Sequence, residues 1–419
     1  LHGLFDRHEQ LPIVLDILFI VIYISCNKIE GSISGLAKKI QCVFFMILAI
    51  FCGYALAEGP LTPSSPDTKI LEKPIRAELV LKIGSDKENE DFYKLRSFTV
   101  DKNGNIYILD AGNSRIQCFS KEGKFLFSFG RQGQGPGELS NDASKIKILS
   151  DGNIYVIDNS QRRINVYNLE GKFLFLGKTK FKFSDKTSSS SAYFSDIVLL
   201  NNVYYLSSLF LEENHKPIHI SRTLGKVDSS FGIFVEPAVN QLQRISRLPP
   251  LPYPWRMYYA DSSTTKLVVT NKNEIIYSQV FPYRLIKYDV KGQVLKDIMG
   301  DVEFDTHHHV EYFREKGWVG VRSYPNPPTG IILDVSINRD NQVVVPYVNQ
   351  DQDFFYIDIY DLDLNLISRY KMPNIISDVK KGEHIRMGNV MIDNDNYLYA
   401  SVQSKEDYPK VVKYKLIFD

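Results

Sequence analysis

Phe98 to Gly130 reads FTVDKNGNIYILDAGNSRIQCFSKEGKFLFSFG, and Ile146 to Gly177 repeats the plan as IKILSDGNIYVIDNSQRRINVYNLEGKFLFLG. Each copy has an apolar lead-in, then NIYIL or NIYVI, then RIQCF or RINVY, then KFLF. Short runs rich in Ile, Val, Tyr and Phe between polar turns are strand signals. Gly104 and Gly152 sit in the first turn and Gly123 and Gly171 in the third, where a left-handed backbone costs glycine nothing. Gly104 and Gly152 lie 48 residues apart, the length of a four-stranded unit.

Weaker copies follow. A third unit occupies residues 192–232, a fourth runs from Lys266 to Gly300 and a fifth from Ile332 to Pro373. The last, GNVMIDNDNYLYASVQS followed by KVVKYKLIFD, shows three strands only. The segment IRAELVLKIG, Ile75 to Gly84, is the natural fourth. The expected fold is therefore all-β, a six-bladed propeller of four-stranded blades whose last blade is closed by an N-terminal strand. Closing such a ring buries faces that a single blade leaves open. A parallel β-helix or an open sandwich explains the strand content but not the four-strand period.

Composition agrees with this body. The 419 residues are 44% hydrophobic and carry 25 Tyr and 25 Phe, which suit sheet cores. The 50 basic residues against 49 acidic ones give a net charge of +1 and no bulk attraction to nucleic acid. Upstream, Lys38 and Lys39 precede QCVFFMILAIFCGYALA, which ends at Ala57 in a small-residue pattern. This is the plan of a secretory signal peptide, with cleavage expected after Ala57 and a retained membrane anchor as the alternative. An earlier apolar run, Pro12 to Cys26, is interrupted by Asp16 and shorter than the roughly 20 residues of a spanning helix; it leaves open a translation start further along. The expected organisation is residues 1–57 as signal region, 58–74 as a Pro-rich tether and 75–419 as one propeller. Cleavage would remove Cys26, Cys42 and Cys52, and Cys118 alone permits no internal disulfide. Cys118 falls in an apolar alternation and is expected to be buried.

The run VDKNGNIYILDAGNSRIQCFSKEGKFLFSFGRQGQGPGEL resembles an NHL-type repeat, most specifically in its GRQGQGPGEL junction, Gly130 to Leu139. The resemblance implies that Gly130, Gly133, Gly135 and Gly137 form the blade-to-blade turn, that Asp110 ends the second strand, and that Asn113, Arg115 and Ile116 open the third. The second unit keeps Asp158, Asn159, Arg163 and Ile164 without a glycine-rich junction. The chain is also similar to six-bladed propellers exported by Bacteroidetes-like bacteria. The resemblance implies a scaffold and no particular reaction.

Two departures from the blade pattern attract attention. NQLQRISRLPPLPYPWRMYYADSSTT carries Tyr253, Trp255, Arg256, Tyr258 and Tyr259; DTHHHVEYFREKGWVGVRSYPNPPTG carries Trp318, Arg322 and Tyr324. Aromatic and Arg side chains in projecting loops are what contact surfaces use. The expected function is an exported binding module, periplasmic, associated with the cell envelope or secreted, for a protein, peptide or glycan. No catalysis, cofactor or nucleic acid is expected, and no transmembrane span in the mature chain. The alternative is a metal-assisted lyase or hydrolase at the pore mouth, drawing on Asp305, His307, His309 and His384. Within an extended segment, Asp305, His307 and His309 alternate onto one side. Acidic turns such as DKNGN at 101 and DNDN at 393 lack the distal glutamate of a calcium loop and are expected to serve as β-turns. HExxH, CxxC, GxSxG and Walker A patterns are absent from the sequence.

Overall fold

The structure is a computed structural model that describes residues 71–85, 89–178, 193–209, 216–233, 265–279, 283–300, 308–315, 318–325, 331–348, 354–373, 384–403 and 408–418. All belong to one compact unit, Pro63–Asp419. The expected signal region lies outside the described residues, as does most of the tether.

The first described strand, β1 (Glu72–Ile83), precedes blade 1, which is β2 (Leu95–Val100), β3 (Ile106–Asp110), β4 (Arg115–Phe119) and β5 (Phe125–Phe129). Blade 2 is β6 (Lys145–Ile148), β7 (Ile154–Asp158), β8 (Arg163–Tyr167) and β9 (Phe173–Lys178). Blade 3 is β10 (Tyr193–Leu200), β11 (Val203–Leu209), β12 (Ile218–Ser221) and β13 (Ser229–Phe231). Blade 4 is β14 (Thr265–Val269), β15 (Ile275–Gln279), β16 (Arg284–Tyr288) and β17 (Val294–Met299). A separate hairpin follows, β18 (His308–Glu315) with β19 (Trp318–Pro325). In blade 5 the short β20 (Ile331–Ile332) and β21 (Ser336–Ile337) share the innermost place, followed by β22 (Val343–Val348), β23 (Phe354–Tyr360) and β24 (Leu366–Pro373). Blade 6 is β25 (His384–Ile392), β26 (Tyr397–Gln403) and β27 (Lys410–Phe418), with β1 as its fourth strand.

Burial explains the sequence pattern of a blade. The middle strands, IYILD in β3 and IYVID in β7, are buried at every position because both faces pack on neighbouring blades. The outer strand FLFSF in β5 alternates partly buried and exposed residues, since only one face is covered. Six apolar clusters result, one per interface between consecutive blades. Leu109 and Ile116 meet Ile146 and Val156 between blades 1 and 2; Ile157 and Ile164 meet Ile197 and Leu206 between 2 and 3. Val198 and Tyr205 meet Leu267 and Tyr277, then Ile276 and Leu285 meet Ile332 and Val345, and Val344 and Phe355 meet Val390 and Leu398. The sixth cluster joins Tyr399 and Val411 of blade 6 to Phe92 and Ile108 of blade 1, which closes the ring. Each fully buried Leu, Ile or Phe in these clusters contributes roughly 1.5–3 kcal/mol.

Closure is also made by strand pairing. From Ile75 to Ile83, β1 runs antiparallel to β27, with Ile75 opposite Phe418 and Ile83 opposite Val411. Its first residues, Glu72 to Pro74, pair in parallel with Arg369 to Lys371 of β24. One strand thus stitches blade 5 to blade 6 while completing the latter.

His308 and His309 do not lie in a loop, as a break in the blade pattern suggests, but begin β18, half of the β18–β19 ribbon. Its register sets His309 opposite Tyr324, Glu311 opposite Arg322 and Glu315 opposite Trp318. Alternating Val, Tyr and Phe between charged residues favours such a pairing.

Candidate functional site

The repeat residues meet at the corners of blades 1 and 2. Asp110, fully buried at the end of β3, accepts the amides of Tyr93 and Lys94 at 3.1 Å each, Asn113 Nδ2 at 2.8 Å and Arg115 Nε at 3.0 Å. Asp158 accepts Ser140 N at 2.8 Å, Ser140 Oγ at 2.7 Å and Gln161 N at 3.2 Å. Arg163 donates to the carbonyls of Gln134 (2.8 Å) and Glu138, pinning the glycine-rich junction. Of the junction glycines, Gly130, Gly133 and Gly137 have positive φ and Gly135 does not. Gly137 is doubly constrained: its φ is +73° and a Cβ there would lie 3.0 Å from Phe173. Gly135 instead donates its N–H to Glu138 Oε2 at 2.7 Å.

The acidic turns are likewise occupied by backbone. Asp101 Oδ1 accepts the amides of Asn103 (2.8 Å) and Asn105 (2.9 Å), and Asp393 Oδ1 those of Asp395 and Tyr397, both at 2.9 Å. These carboxylates shape turns. Cys118 is buried in β4, and burial pushes its thiol up to about 11. His219 is also buried, its two ring nitrogens hydrogen-bonded to Ser208 Oγ (2.5 Å) and Ser230 Oγ (2.7 Å).

A different constellation occupies the centre of the ring. A cavity of about 370 Å³ is lined by the innermost strands of all six blades, among them Val100, Ile148, Val198, Val268, Ile337 and Met391. Into this mostly apolar channel come Lys145 and Lys147 of β6, Asp196 of β10, Lys266 of β14 and Asp334 from the link between β20 and β21. Three of them stand at one structural place. Lys145, Lys266 and Asp334 each lie four residues before a turn residue, Leu149, Thr270 or Asn338, whose amide bonds to the carbonyl four residues on.

The groups are tightly paired. Lys147 Nζ donates to both oxygens of Asp196, at 3.0 and 2.8 Å, and to the Leu267 carbonyl at 3.0 Å. Leu267 N donates to Asp196 Oδ2 at 2.9 Å, so blades 2, 3 and 4 are tied at one carboxylate. Lys266 Nζ lies 3.1 Å from Asp334 Oδ1. Burial favours a protonated Asp196, but Lys147, Lys145 and Lys266 outweigh it and hold the carboxyl below its usual range. Burial also opposes the charge on Lys266, yet Asp334 and Asp196 keep its pKa above the ordinary lysine value. Lys145 differs: burial and then the positive charge of Lys266 push it down to about 7, against the partial support of Asp196 and Asp334.

Sequence patterns do not single out these five residues, although a signal exists. Each interrupts an otherwise apolar lead-in strand, as in SKIKIL, FSDIVLL, TKLVV and IILDVSI. Of the expected contact residues, Tyr253, Trp255, Arg256, Tyr258 and Tyr259 lie outside the described residues, whereas Trp318, Arg322 and Tyr324 lie in β19. Asp305 and His307 are also outside; His309 belongs to β18 and His384 begins β25, in separate sheets. Among the described residues no group of three His, Cys, Asp or Glu could hold a metal ion. Among them, too, no helix is long and apolar enough to cross a membrane.

Four four-stranded sheets, a nine-stranded sheet in which β1 joins the fifth and sixth blades, and six interface clusters decide the architecture. The chain is a six-bladed β-propeller. Residues 90–216 match the family described as 6-bladed beta-propeller. No curated protein matches the chain. Among solved structures it is similar to a candidate exported protein from Bacteroides fragilis, at 13% identity over 84% of this chain and 98% of that one, with a TM-score of 0.51. A member of the DUF4221 family from Bacteroides vulgatus gives 10% identity over 83% and 100%, also at 0.51. A catalytically inactive virginiamycin B lyase from Staphylococcus aureus, solved with quinupristin, gives 12% identity over 82% and 100% at 0.43. At such identities the likeness concerns the propeller fold alone.

Proposed function

We propose that this propeller is an exported binding module that holds the acidic end of a peptide or glycan in its central channel. The observation that carries the reading is the set of three lysines and two aspartates that four blades bring to one cavity. Asp196 and Asp334 are already engaged by Lys147 and Lys266, and Lys145 adds a third amine. The apolar walls strengthen charge-assisted hydrogen bonds to an entering carboxylate. A cavity of about 370 Å³ accommodates one or two residues of such a chain. Trp318, Arg322 and Tyr324 of the ribbon, and the segment around Trp255, would contact the remainder. The signal-like run ending at Ala57 supports export.

Calorimetric titration with short acidic peptides and uronic acid oligosaccharides tests the reading. Lys266→Met is expected to weaken binding about tenfold or more, the worth of one charge-assisted hydrogen bond in a dry site. Binding that survives this change but disappears with Trp318→Ala would move the site from the channel to the ribbon.

A further inference from the structure

The innermost strands run side by side along the channel, and equal steps along them define two levels. The first holds Ser97, Lys145, Asp196, Lys266 and Asp334, one from each of blades 1 to 5 and each four residues before the residue that begins the turn into the second strand. Three residues further on stand Val100, Ile148, Leu199, Val269 and Ile337, with Ile392 in the same place in blade 6. At about 3.3 Å per residue the two levels lie roughly 10 Å apart. The second is aliphatic without a break, and all of it but Ile392 lines the cavity. It adjoins the short turns, such as Asp101 to Asn105, while the first adjoins the longer connections by which each outer strand enters the next blade. One end of the channel is thus charged and the other is hydrocarbon. Around the first level the charges alternate, with Lys145, Asp196, Lys266 and Asp334 in blades 2 to 5. Asp196 is taken up by Lys147 and the Leu267 amide. Lys145 and Asp334 keep capacity. Among the described residues Lys145 forms no ion pair, and Asp334 has one ion-pair partner, Lys266, for a carboxylate able to accept about four hydrogen bonds.

We infer that the acidic end held in the channel is the free C-terminus of a peptide whose last residue is large and apolar, such as Leu or Phe. The inference rests on the channel being the ligand site. The α-carbon of a terminal residue carries an anion, an N–H donor and a side chain, and the channel has a place for each. The carboxylate meets the Lys145 ammonium, the N–H meets Asp334, and the side chain enters the aliphatic level. The rest of the peptide leaves through the end with the long connections. A charge-assisted bond of about 2.8 Å plus the reach of a Leu or Phe side chain spans most of the step between the levels. A uronic acid fits less well, because its hydroxyls would be desolvated against Val, Ile and Leu with nothing to receive them. A fatty acid suits Lys145 and the hydrocarbon but brings no donor to Asp334.

Calorimetry on the full chain tests this with the peptides Ala-Ala-Leu, Ala-Ala-Leu-amide, Ala-Ala-Ala and Ala-Ala-Asp, and with octanoate and digalacturonate. Ala-Ala-Leu is expected to bind most tightly. Amidation, which removes the anion, should weaken it about tenfold or more. Replacing the terminal Leu by Ala removes three apolar carbons and should weaken it roughly ten- to fiftyfold. The near-isosteric Val269→Thr should narrow that preference for Leu over Ala several-fold. The wild-type ligand series decides the matter even if the variant folds poorly. Octanoate binding as well as Ala-Ala-Leu overturns the inference in favour of a fatty acid. If Ala-Ala-Asp or digalacturonate binds as tightly as Ala-Ala-Leu, and Lys266→Met weakens that binding, the inference fails while the channel reading stands. If no carboxylate binds, or binding ignores Lys266→Met, the channel reading fails with it.

Discussion

Buried aspartates in this ring come in two kinds, and they answer differently to substitution. Asp110 and Asp158, at the blade corners, are satisfied by amides and side chains that lie within 18 residues of them in the chain. Asp196, in the channel, is satisfied by Lys147 from one neighbouring blade and by Leu267 from the other. The first kind folds a blade; the second holds blades to one another. A corner partner is mostly a backbone group that no substitution can remove, while a channel partner is largely a side chain that can be exchanged.

The comparison presupposes a closed ring, and opening it should have the largest effect. Deleting residues 72–83 removes the outer strand of blade 6 and the bond to blade 5. The expected cost is more than about 5 kcal/mol, enough to unfold a domain of ordinary stability. Denaturant unfolding followed by tryptophan fluorescence would show it. Retention of the cooperative transition would mean that β1 is an ornament.

Next come the aspartates themselves. Asp196→Ala leaves Lys147 and the Leu267 amide without their carboxylate and should cost about 3–5 kcal/mol. Joining it to Lys147→Met, with Leu instead of Ala at 196, should recover most of that, short of the roughly 1 kcal/mol owed to the Leu267 amide. Asp158→Ala should cost about 3 kcal/mol, and no second substitution should rescue it, since the Ser140 and Gln161 amides remain. Equal rescue at both sites would erase the distinction.

The channel also predicts a pH dependence of stability. The unfolded chain carries a proton on Lys145 up to about pH 10, the folded chain only up to about 7. Between those values the unfolded state binds more protons, so stability should rise with pH; below about 7 the full penalty of charging Lys145 is felt. Lys145→Met should flatten the slope from pH 7.5 to 9.5 and stabilise the protein at pH 6. Above about pH 10 the trend reverses, because burial pushes the phenols of Tyr277, Tyr283 and Tyr360 up and their ionisation favours unfolding.

The smallest effect belongs to the outer turns. Asp361→Ala removes acceptors from the amides of Asp363 (2.9 Å) and Asn365 (2.8 Å), in reach of water, and should cost only about 1 kcal/mol. Thermal unfolding resolves a change of that size.

These contrasts also explain what the sequence makes legible. The strand period, the turns and the corner residues are visible because their partners fall within a few residues or in the adjoining repeat: Asp110 with Asn113 and Arg115, Asp101 with Asn103 and Asn105. The closing strand is inferred from arithmetic, a blade lacking one member, and β1 supplies it. The channel site is hidden because its members converge only after the ring closes; Lys147 and Asp196 are 49 residues apart, and Asp196 and Leu267 71. Three histidines in a row attract notice by their rarity, yet rarity carries no information about convergence. A single lysine in an apolar strand is plainer and tells more, because burying its charge has to be compensated.

The position of β1 sets a kinetic condition on folding. Ile75 pairs with Phe418, 343 residues later, so the fourth strand of the last blade must wait until every other blade has been translated and placed. Contacts of such separation slow the search for the native state. Until they form, β24 and β27 present bare edges to any passing strand. The interval between synthesis and closure is therefore the period of greatest exposure to aggregation, and a chaperone that shields strand edges during that interval would raise the yield of folded protein without altering its final stability.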